Sequence, residues 1–336
     1  MIRKLAALTV VAGVALLAGC GQTTTPVADS KPNPSAPGAA TSAAPSAVPA
    51  ASPVAASLSV TDPAGKRLTL KKAPERIVCL TGLCDDMLVE LGLVPAATTT
   101  PKLLSRPDYL GEEGAKVPVI PGSFGGEDVA KIAQAKPDLV IGLAGVHDQL
   151  RAAVEKFAPL WVVEVDDYED SITYLRAMAA LTGRGAQQAE AENTFRAKLA
   201  AGRADARAKG LTDMPVLAMY GGSSVGVNTT DDVLGDFLSQ FFGYPWPSKG
   251  GGFETAQAYS IEEILAKAPQ VVFIQSFAFG GAKPVSETYR DHPVWKRIPA
   301  VASGKVFEVR PELWASGRGT RAFGLILDEA LAKAAG

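Results

Sequence analysis

The stretch that decides the fold is residues 186–209, AQQAEAENTFRAKLAAGRADARAK. Alanine, glutamine, glutamate, lysine, arginine and leucine dominate it and no proline interrupts it, so it predicts one continuous helix of about 36 Å. Gly183, Gly185 and Gly210 supply breaks at its two ends. The helix would lie close to the midpoint of a folded body that begins near Ser57. Because a strand–helix pattern lies on each side of it, we interpret it as a rigid connector between two lobes.

A weak internal repeat supports the two lobes. Residues 128–141 (DVAKIAQAKPDLVI) and 260–273 (SIEEILAKAPQVVF) each contain a short helical pattern, then Pro137 or Pro269, then an apolar strand pattern. Alternating strands and helices with short connections predict parallel sheets that are covered by helices. The sequence therefore predicts an α/β fold of two three-layer α/β lobes with mostly parallel central sheets, joined by one long helix.

The first 20 residues have the pattern of a targeting segment. Arg3 and Lys4 precede an apolar run of about 13 residues, which is too short to cross a bilayer. The run ends in LAGC at residues 17–20, which resembles the bacterial lipoprotein signal and implies acylation of Cys20. The alternative is an ordinary secretory signal with an incidental cysteine. Residues 21–56 are rich in proline, alanine, serine and threonine and predict a disordered tether.

Composition limits the partners and the metal chemistry. The 336 residues carry a net charge of −2, so no basic field for nucleic acid is expected. Only two histidines and three cysteines are present, which argues against a multi-histidine metal site. Apart from Cys20, the cysteines are Cys79 and Cys84; their spacing is compatible with a small loop disulfide, and the pairing stays open. A redox or structural envelope lipoprotein is a weak alternative, because the spacing is not C-x-x-C.

Several short motifs together resemble the periplasmic-binding-protein class that serves ferric siderophore, haem and cobalamin importers. They are APERIV (73–78), VPVIPGS (117–123), IAQAKPDLVI (132–141), YSIEEILAKAP (259–269), HPVW (292–295), GKV (304–306) and ELW (312–314). The resemblance implies a class III fold with an N-terminal lobe (57–182), a connecting helix (183–210), a C-terminal lobe (211–336) and a ligand cleft between the lobes. It also implies a monomeric, non-enzymatic protein with no intrinsic cofactor, anchored on the extracytoplasmic side of the cell membrane, which delivers its ligand to an ABC-importer permease dimer.

The long region 101–126, which ends in VPVIPGS, resembles that of siderophore binders more than that of cobalamin binders, which implies an iron–siderophore chelate as the ligand. Haem is the first alternative, with His147 or a tyrosine as axial ligand, and cobalamin is the second. Hydroxamate binders of this class place arginine and tyrosine near two positions that are Phe124 and His147 here, which argues against a hydroxamate ligand.

Ligand contacts are expected in the loops that follow strands. Trp246 falls in a predicted loop that is too polar and flexible for a core, and Arg318 would suit an anionic chelate. The resemblance implies an aromatic contact at Trp314. Packing or capping roles are the alternatives for His147, Tyr220 and Trp314. The candidate ligand-binding residues are Phe124, His147, Tyr220, Trp246, Trp314 and Arg318.

The resemblance also implies one surface carboxylate on each lobe for docking to the permease. Glu262 matches the position in the C-terminal lobe, whereas the equivalent position in the N-terminal lobe is Ala130. Glu127 or Asp128 is expected to replace it from the preceding turn, and a solvated helix carboxylate is the alternative role for Glu262.

A serine hydrolase is a remote alternative. Gly222, Ser224 and Gly226 match G-x-S-x-G, and Asp291 and His292 follow in hydrolase order. The motif requires a helix directly after its serine, which residues 227–230 do not favour.

Overall fold

Two separate four-stranded sheets form the centres of the two lobes, one before and one after the connecting helix. The computed structural model describes residues 50–221, 225–250, 257–277 and 283–336. The predicted targeting segment, Cys20 and nearly all of the predicted tether lie outside the described residues. The fold class predicted from the sequence is confirmed.

The N-terminal lobe has a parallel sheet in the order β4-β3-β5-β6, preceded by an antiparallel hairpin of β1 and β2. Its strands are continuous apolar segments, because other elements of the lobe cover both faces of the sheet. The elements are β1 (Ser59–Thr61), β2 (Arg67–Thr69), β3 (Ile77–Cys79), α1 (Gly82–Glu90), β4 (Ala97–Thr98), α2 (Pro101–Leu104), α3 (Glu112–Ala115), α4 (Val129–Gln134), β5 (Leu139–Leu143), α5 (Arg151–Val154), β6 (Leu160–Val163) and α6 (Tyr168–Thr182).

The C-terminal lobe follows the connecting helix α7 (Gly185–Ala208) and has a sheet in the order β10-β9-β7-β8. Only β8 runs antiparallel, at one edge. The elements are β7 (Val216–Gly221), β8 (Val225–Val227), α8 (Val233–Ser239), α9 (Ile261–Lys267), β9 (Val271–Ser276), α10 (Val285–Thr288), α11 (Pro299–Ala302), β10 (Val306–Val309), α12 (Pro311–Trp314) and α13 (Thr320–Ala335).

The internal repeat corresponds to equivalent units in the two sheets. Helix α4 leads into β5, and α9 leads into β9, which occupies the same place in its sheet. Lys136 and Ala268, directly before Pro137 and Pro269, both adopt left-handed backbone with φ of 49° and 48°. A residue before proline is disfavoured in the right-handed helical region, so both helices end there in the same way.

The connecting helix agrees with the prediction to within one residue at each end. Phe195 and Leu199 on α7 belong to the largest apolar core, which is mainly that of the C-terminal lobe. A Cβ atom on Gly202 would lie 2.7 Å from a methyl carbon of Leu327, so this glycine permits close packing of α7 on α13. The connector is therefore packed along the lobes as well as linking them.

Helix α7 is fixed to α6 by a buried carboxylate. Glu192 accepts hydrogen bonds from Arg176 (2.5 Å), Gln188 (2.8 Å) and Arg196 (2.8 Å). Burial opposes ionisation of Glu192, but the hydrogen bonds from the two arginines hold its pKa below the ordinary value. A hydrogen-bonded charge of this kind resists sliding of one helix along the other, because displacement would leave it buried and unpaired.

The last part of the predicted tether is ordered, which corrects its predicted end at residue 56. The Ala51 amide donates to Asn193 Oδ1 (2.7 Å) and the Val54 amide to Gln188 Oε1 (3.1 Å), both on α7. The Ser57 amide donates to the Ala180 carbonyl (2.9 Å). The segment therefore runs antiparallel to the connecting helix before it enters β1.

Candidate functional site

The lobes touch where loops leave the carboxyl ends of their strands. Gly82, just after β3, lies against the carbonyl oxygen of Ser316, after α12, so closely that a Cβ atom on Gly82 would overlap it. Open α/β sheets bind ligands outside the carboxyl ends of their strands. The loops at these ends, which we call the cleft edge, are therefore where a ligand would be held.

A buried carboxylate of the N-terminal lobe caps a helix of the C-terminal lobe. Asp86 on α1 accepts the backbone amides of Arg321 (3.1 Å) and Ala322 (2.8 Å) at the start of α13, and the Tyr109 hydroxyl donates to it at 2.8 Å. The N-cap residue of α13, Gly319, has no side chain for this purpose. Burial raises the pKa of Asp86, while its three donors oppose that shift.

Arg321 adds a second link between the lobes. Its guanidinium group donates to Glu90 Oε2 (3.3 Å) and to the Asp108 carbonyl (3.1 Å). Burial, together with the nearby charge of Asp86, raises the pKa of Glu90 to about 7, although Arg321 opposes the shift. Because these hydrogen bonds cross the interface, they favour one relative position of the lobes.

Asp85 lies directly beside this link and is fully buried. Its Oδ2 atom accepts the hydroxyl groups of Thr98 (2.7 Å) and Thr100. Burial raises the pKa of Asp85 to about 8, although the two hydroxyls oppose the shift, so this carboxyl is largely protonated at neutral pH.

Phe124 is presented to solvent at the cleft edge. Its side chain is 78% exposed, and it follows Val119, which pairs with Thr98 of β4 in an isolated parallel bridge. Phe124 has a φ of +50°, which is unusual for a bulky residue. An exposed aromatic side chain on rarely adopted backbone is a feature of binding loops.

His147 and Glu127 form a buried pair below Phe124. The two side chains meet through His147 Nε2 and Glu127 Oε1 at 3.2 Å, and the Leu143 amide donates to His147 Nδ1 at 2.7 Å. Glu127 is only 5% exposed, so it cannot serve as the surface carboxylate for docking that we expected from the sequence. Both ring nitrogens of His147 have partners, so this residue would have to give up a hydrogen bond to act as the axial haem ligand considered above.

Tyr220 lies at the carboxyl end of β7 and is half-buried. Its hydroxyl donates to Gln257 Oε1, and burial together with the charge of Asp232 raises the pKa of Tyr220 to about 12. The Tyr220 hydroxyl is therefore engaged within the protein rather than free at the cleft edge.

Trp246 and Trp314 are core residues in the structure. Trp246 is fully buried, and its indole NH donates to the Val216 carbonyl at 2.6 Å. The expectation that its loop is too polar for the core is therefore wrong. Trp314 packs on Phe273 with ring centroids 4.8 Å apart, and its indole NH donates to Glu329 at 2.8 Å. The rings of Trp246 and Trp314 are both buried, so neither ring is accessible to a ligand.

Two arginines flank α12 at the carboxyl end of β10. Arg310 directly follows the strand and is exposed, and Arg318 follows the helix and is half-buried. Neither guanidinium group takes part in an ion pair within the described part of the chain. The Arg318 carbonyl accepts the Ser171 hydroxyl at 2.7 Å, which holds this loop against α6. Both arginines therefore lie in loops at the carboxyl end of β10 without a described counter-charge.

Glu262 is exposed in the first turn of α9, beside the capping box formed by Ser260 and Glu263. Ala130 occupies the matching exposed position on α4. The exposed carboxylate next to Ala130 is that of Asp128, which caps α4 through the Lys131 amide (3.1 Å).

Cys79 and Cys84 are joined in a disulfide, with Cα atoms 5.4 Å apart. The bridge connects the end of β3 to the first turn of α1, and both residues are buried. It therefore stiffens the turn at Gly82, where the lobes touch.

The residues of the hydrolase alternative do not form a catalytic group. Ser224 lies outside the described residues. Asp291 is almost fully exposed and pairs with Lys296 (3.4 Å), and His292 Nδ1 accepts the Trp295 amide (3.4 Å). Asp291 and His292 are adjacent in the chain but have no hydrogen bond with each other among the described contacts.

The sequence did not identify the role of Asp86, nor Arg310. Asp86 lies within α1, but the N-cap of that helix is Thr81, which leaves the Asp86 carboxylate available to the other lobe. The available signals were the glycine that precedes α13, which leaves its amides without a local cap, and an arginine directly after an apolar strand.

Two α/β lobes, a helical connector and a cleft edge with polar and aromatic side chains define a class of ligand-binding proteins. The model of the periplasmic binding protein family matches residues 77–313, and the chain belongs to this family. Membership identifies a binding component rather than an enzyme, as we expected.

Named relatives agree with this assignment. The chain is 24% identical to "Putative ABC transporter substrate-binding lipoprotein YhfQ" of Bacillus subtilis over 293 residues, 81% of this chain and 87% of that protein. It is 23% identical to the "Fe(3+)-citrate-binding protein YfmC" of the same organism over 271 residues, 78% and 81% of the two chains. Staphylococcus aureus SirA, solved with staphyloferrin B, superposes with a TM-score of 0.65 at 17% identity, covering 82% and 97%.

Two features are absent from the residues that the structure describes. These residues contain no group of three or more histidine, cysteine, aspartate or glutamate residues placed to hold a metal ion. In the same part of the chain, no helix combines the length and the apolar character that crossing a bilayer requires.

Proposed function

We propose that this protein is a lipid-anchored, extracytoplasmic solute-binding protein that captures an anionic ferric siderophore and delivers it to an ABC-importer permease. The observation that carries the proposal is the pair Arg310 and Arg318 at the cleft edge, without a described counter-charge. Guanidinium groups bind carboxylate oxygens through paired, charge-assisted hydrogen bonds. An iron chelate with free carboxylates would supply the missing negative charge.

The names of related proteins support this ligand class. One relative is named for ferric citrate, and the structure of another member of the fold contains staphyloferrin B. A third carries the words ABC transporter and lipoprotein in its name. These names support both the iron-complex ligand and the proposed permease partner.

Haem and cobalamin fit the described residues less well. An axial haem ligand needs a free imidazole nitrogen or a phenolate. His147 has both nitrogens engaged in hydrogen bonds and the Tyr220 hydroxyl is engaged with Gln257, so either side chain would have to give up a contact to bind iron. Cobalamin remains the alternative ligand for the same architecture.

A titration of the purified chain tests the ligand. Ferric citrate, ferric staphyloferrin B, haem and cobalamin are added separately while the fluorescence of the four tryptophans is recorded. We expect quenching by at least one ferric carboxylate chelate. Binding of cobalamin or haem with no response to any ferric chelate would overturn the proposal.

Arginine variants connect the titration to the site. Replacing Arg310 and Arg318 together by alanine should weaken ferric chelate binding by about 10- to 100-fold, because each charge-assisted hydrogen bond contributes about 1.5–3 kcal/mol before water replaces part of it. Arg297→Ala is the matched control. Arg297 directly precedes the segment that leads into α11. The Ala300 amide of α11 donates to the carbonyl of Pro269, which lies before β9, so this segment is at the amino end of the strands, opposite the cleft edge. An equal loss of ferric chelate affinity in Arg297→Ala would show that Arg310 and Arg318 do not bind the ligand specifically.

Docking is proposed to use Glu262 and Asp128. In a transport assay with the permease, Glu262→Ala should reduce uptake without changing ligand affinity. Glu263→Ala is the matched control, since Glu263 is already engaged with Lys249 (2.6 Å) and the Ser260 amide. Equal uptake by Glu262→Ala and the wild type would argue against this docking surface.

The lipid anchor is proposed from the sequence around Cys20. Growth with a labelled fatty acid should label the full-length protein, and Cys20→Ser should abolish the label and release the protein from the membrane. A labelled Cys20→Ser variant would show that anchoring does not use this residue.

A further inference from the structure

A backbone hydrogen bond defines the tautomer of His147 in the buried pair that it forms with Glu127. Nδ1 of His147 accepts the Leu143 amide at 2.7 Å, so this nitrogen carries no proton. The proton of the neutral ring is therefore on Nε2, which donates to Glu127 Oε1 at 3.2 Å. The ring and the carboxylate hold each other in one orientation.

The turn above this pair has an uncommon backbone. The Gly126 amide donates to the Ser123 carbonyl at 3.0 Å, so Phe124 and Gly125 are the two central residues. Both have positive φ, +50° and +86°, as in a type I′ turn. Such turns favour asparagine or glycine at the first central position, and phenylalanine is rarely found there. Because the backbone of Phe124 is unfavourable by itself, other contacts of the 123–126 turn must stabilise it.

Those contacts lead back to the buried pair. Glu127 Oε1 also accepts the Gly125 amide at 3.3 Å, which links the tip of the turn to the carboxylate. A Cβ atom on Gly125 would lie 2.7 Å from the Val146 carbonyl oxygen, so the tip rests directly on the chain that leads to His147. One carboxylate oxygen thus receives hydrogen bonds from both the turn and the imidazole.

We propose that Glu127 and His147 are positioning residues that hold the 123–126 turn so that Phe124 faces the ligand. The effect on the ligand rests on the proposed function, whereas the effect on the turn does not. No contact between the pair and the ligand is required, because both side chains are buried. Their influence on affinity passes through Phe124.

Limited digestion with chymotrypsin tests the turn without any ligand. Phe124 is exposed, but cleavage after it requires local opening of the turn. Glu127→Ala should increase the rate of cleavage at Phe124 by about tenfold, roughly the effect of losing one buried hydrogen bond. Glu127→Gln keeps an oxygen acceptor and should restore a rate close to the wild type. An unchanged rate in Glu127→Ala would overturn the proposal.

A double-mutant cycle with ferric citrate as the probe tests the link to binding. Glu127→Ala and Phe124→Ala should each weaken affinity about tenfold, and the double variant should be no weaker than Phe124→Ala, because both changes remove the same contact. Additive losses would overturn the positioning role. Failure of the wild type to bind ferric citrate would count against the proposed ligand only, and the cleavage rates would still decide whether the pair holds the turn.

Discussion

Removing the Asp86 side chain should loosen the junction between the lobes. Asp86→Ala leaves the Arg321 and Ala322 amides and the Tyr109 hydroxyl without their acceptor. A buried donor left without its acceptor costs about 1–3 kcal/mol. Three donors lose their acceptor, but the substitution also removes a carboxyl whose burial raises its pKa, so we expect a net loss of about 3 kcal/mol. Urea denaturation followed by circular dichroism would measure this loss.

Asp167→Ala is a matched control within one lobe. Asp167 caps α6, a helix of 15 residues compared with 16 in α13, and it also accepts two backbone amides. It is exposed, so water can replace it, and its loss should cost only about 1 kcal/mol. If Asp86→Ala costs no more than Asp167→Ala, the cap between the lobes contributes nothing beyond an ordinary helix cap.

Gly319→Ala provides a second, independent test. Gly319 has extended backbone that any residue can adopt, but a Cβ atom there would overlap the Asp86 carboxylate. The substitution should therefore be destabilising in the wild type and nearly neutral in the Asp86→Ala background. Additive costs would refute the close approach of the two lobes at this point.

Three other changes have defined outcomes. Phe124→Gly should raise the free energy of unfolding by about 1 kcal/mol, because glycine adopts the positive φ without strain, and it should also weaken ligand binding. Phe124→Ala should weaken binding without the gain in stability. Thermal unfolding measures the first effect and ligand titration the second. Burial raises the pKa of Asp85 to about 8, whereas the unfolded chain releases this proton above about pH 4. Between these two values the folded state holds one more proton than the unfolded state. The free energy of unfolding should therefore fall as the pH rises from about 4 to 8. Asp85→Asn should reduce that slope in denaturation curves recorded at pH 5 and pH 8, and an unchanged slope would place the titration elsewhere. Replacing Cys79 and Cys84 together by alanine opens a bridge with a sequence separation of 5 and should cost about 2 kcal/mol, which urea denaturation of the oxidised and reduced wild type would check independently.

The sequence by itself determined the elements whose signals are local. The helix α7 was predicted to within one residue at each end, because its composition and flanking glycines act within the segment. The units around Pro137 and Pro269 were also predicted, since proline cannot continue a helix beyond its first turn. These elements were sufficient to predict two lobes and a connector.

Only the tertiary structure decided which side chains are exposed. Trp246 lies in a segment of prolines and glycines that reads as a surface loop, yet its ring fills the core of the C-terminal lobe. The sequence around Glu127 predicts a surface carboxylate, yet Glu127 is buried and hydrogen-bonded to His147, 20 residues further along the chain. Burial depends on which distant segment packs over a residue, and a local pattern contains no information about that segment.

Contacts between the lobes show the same limit most clearly. Asp86 caps a helix whose amides lie 235 and 236 residues away in sequence. The glycine before α13 indicates only that a cap is missing, and the sequence does not tell which residue supplies it. The acceptor is chosen by how the lobes pack, because a buried amide must find a partner and the nearest carboxylate in space provides it.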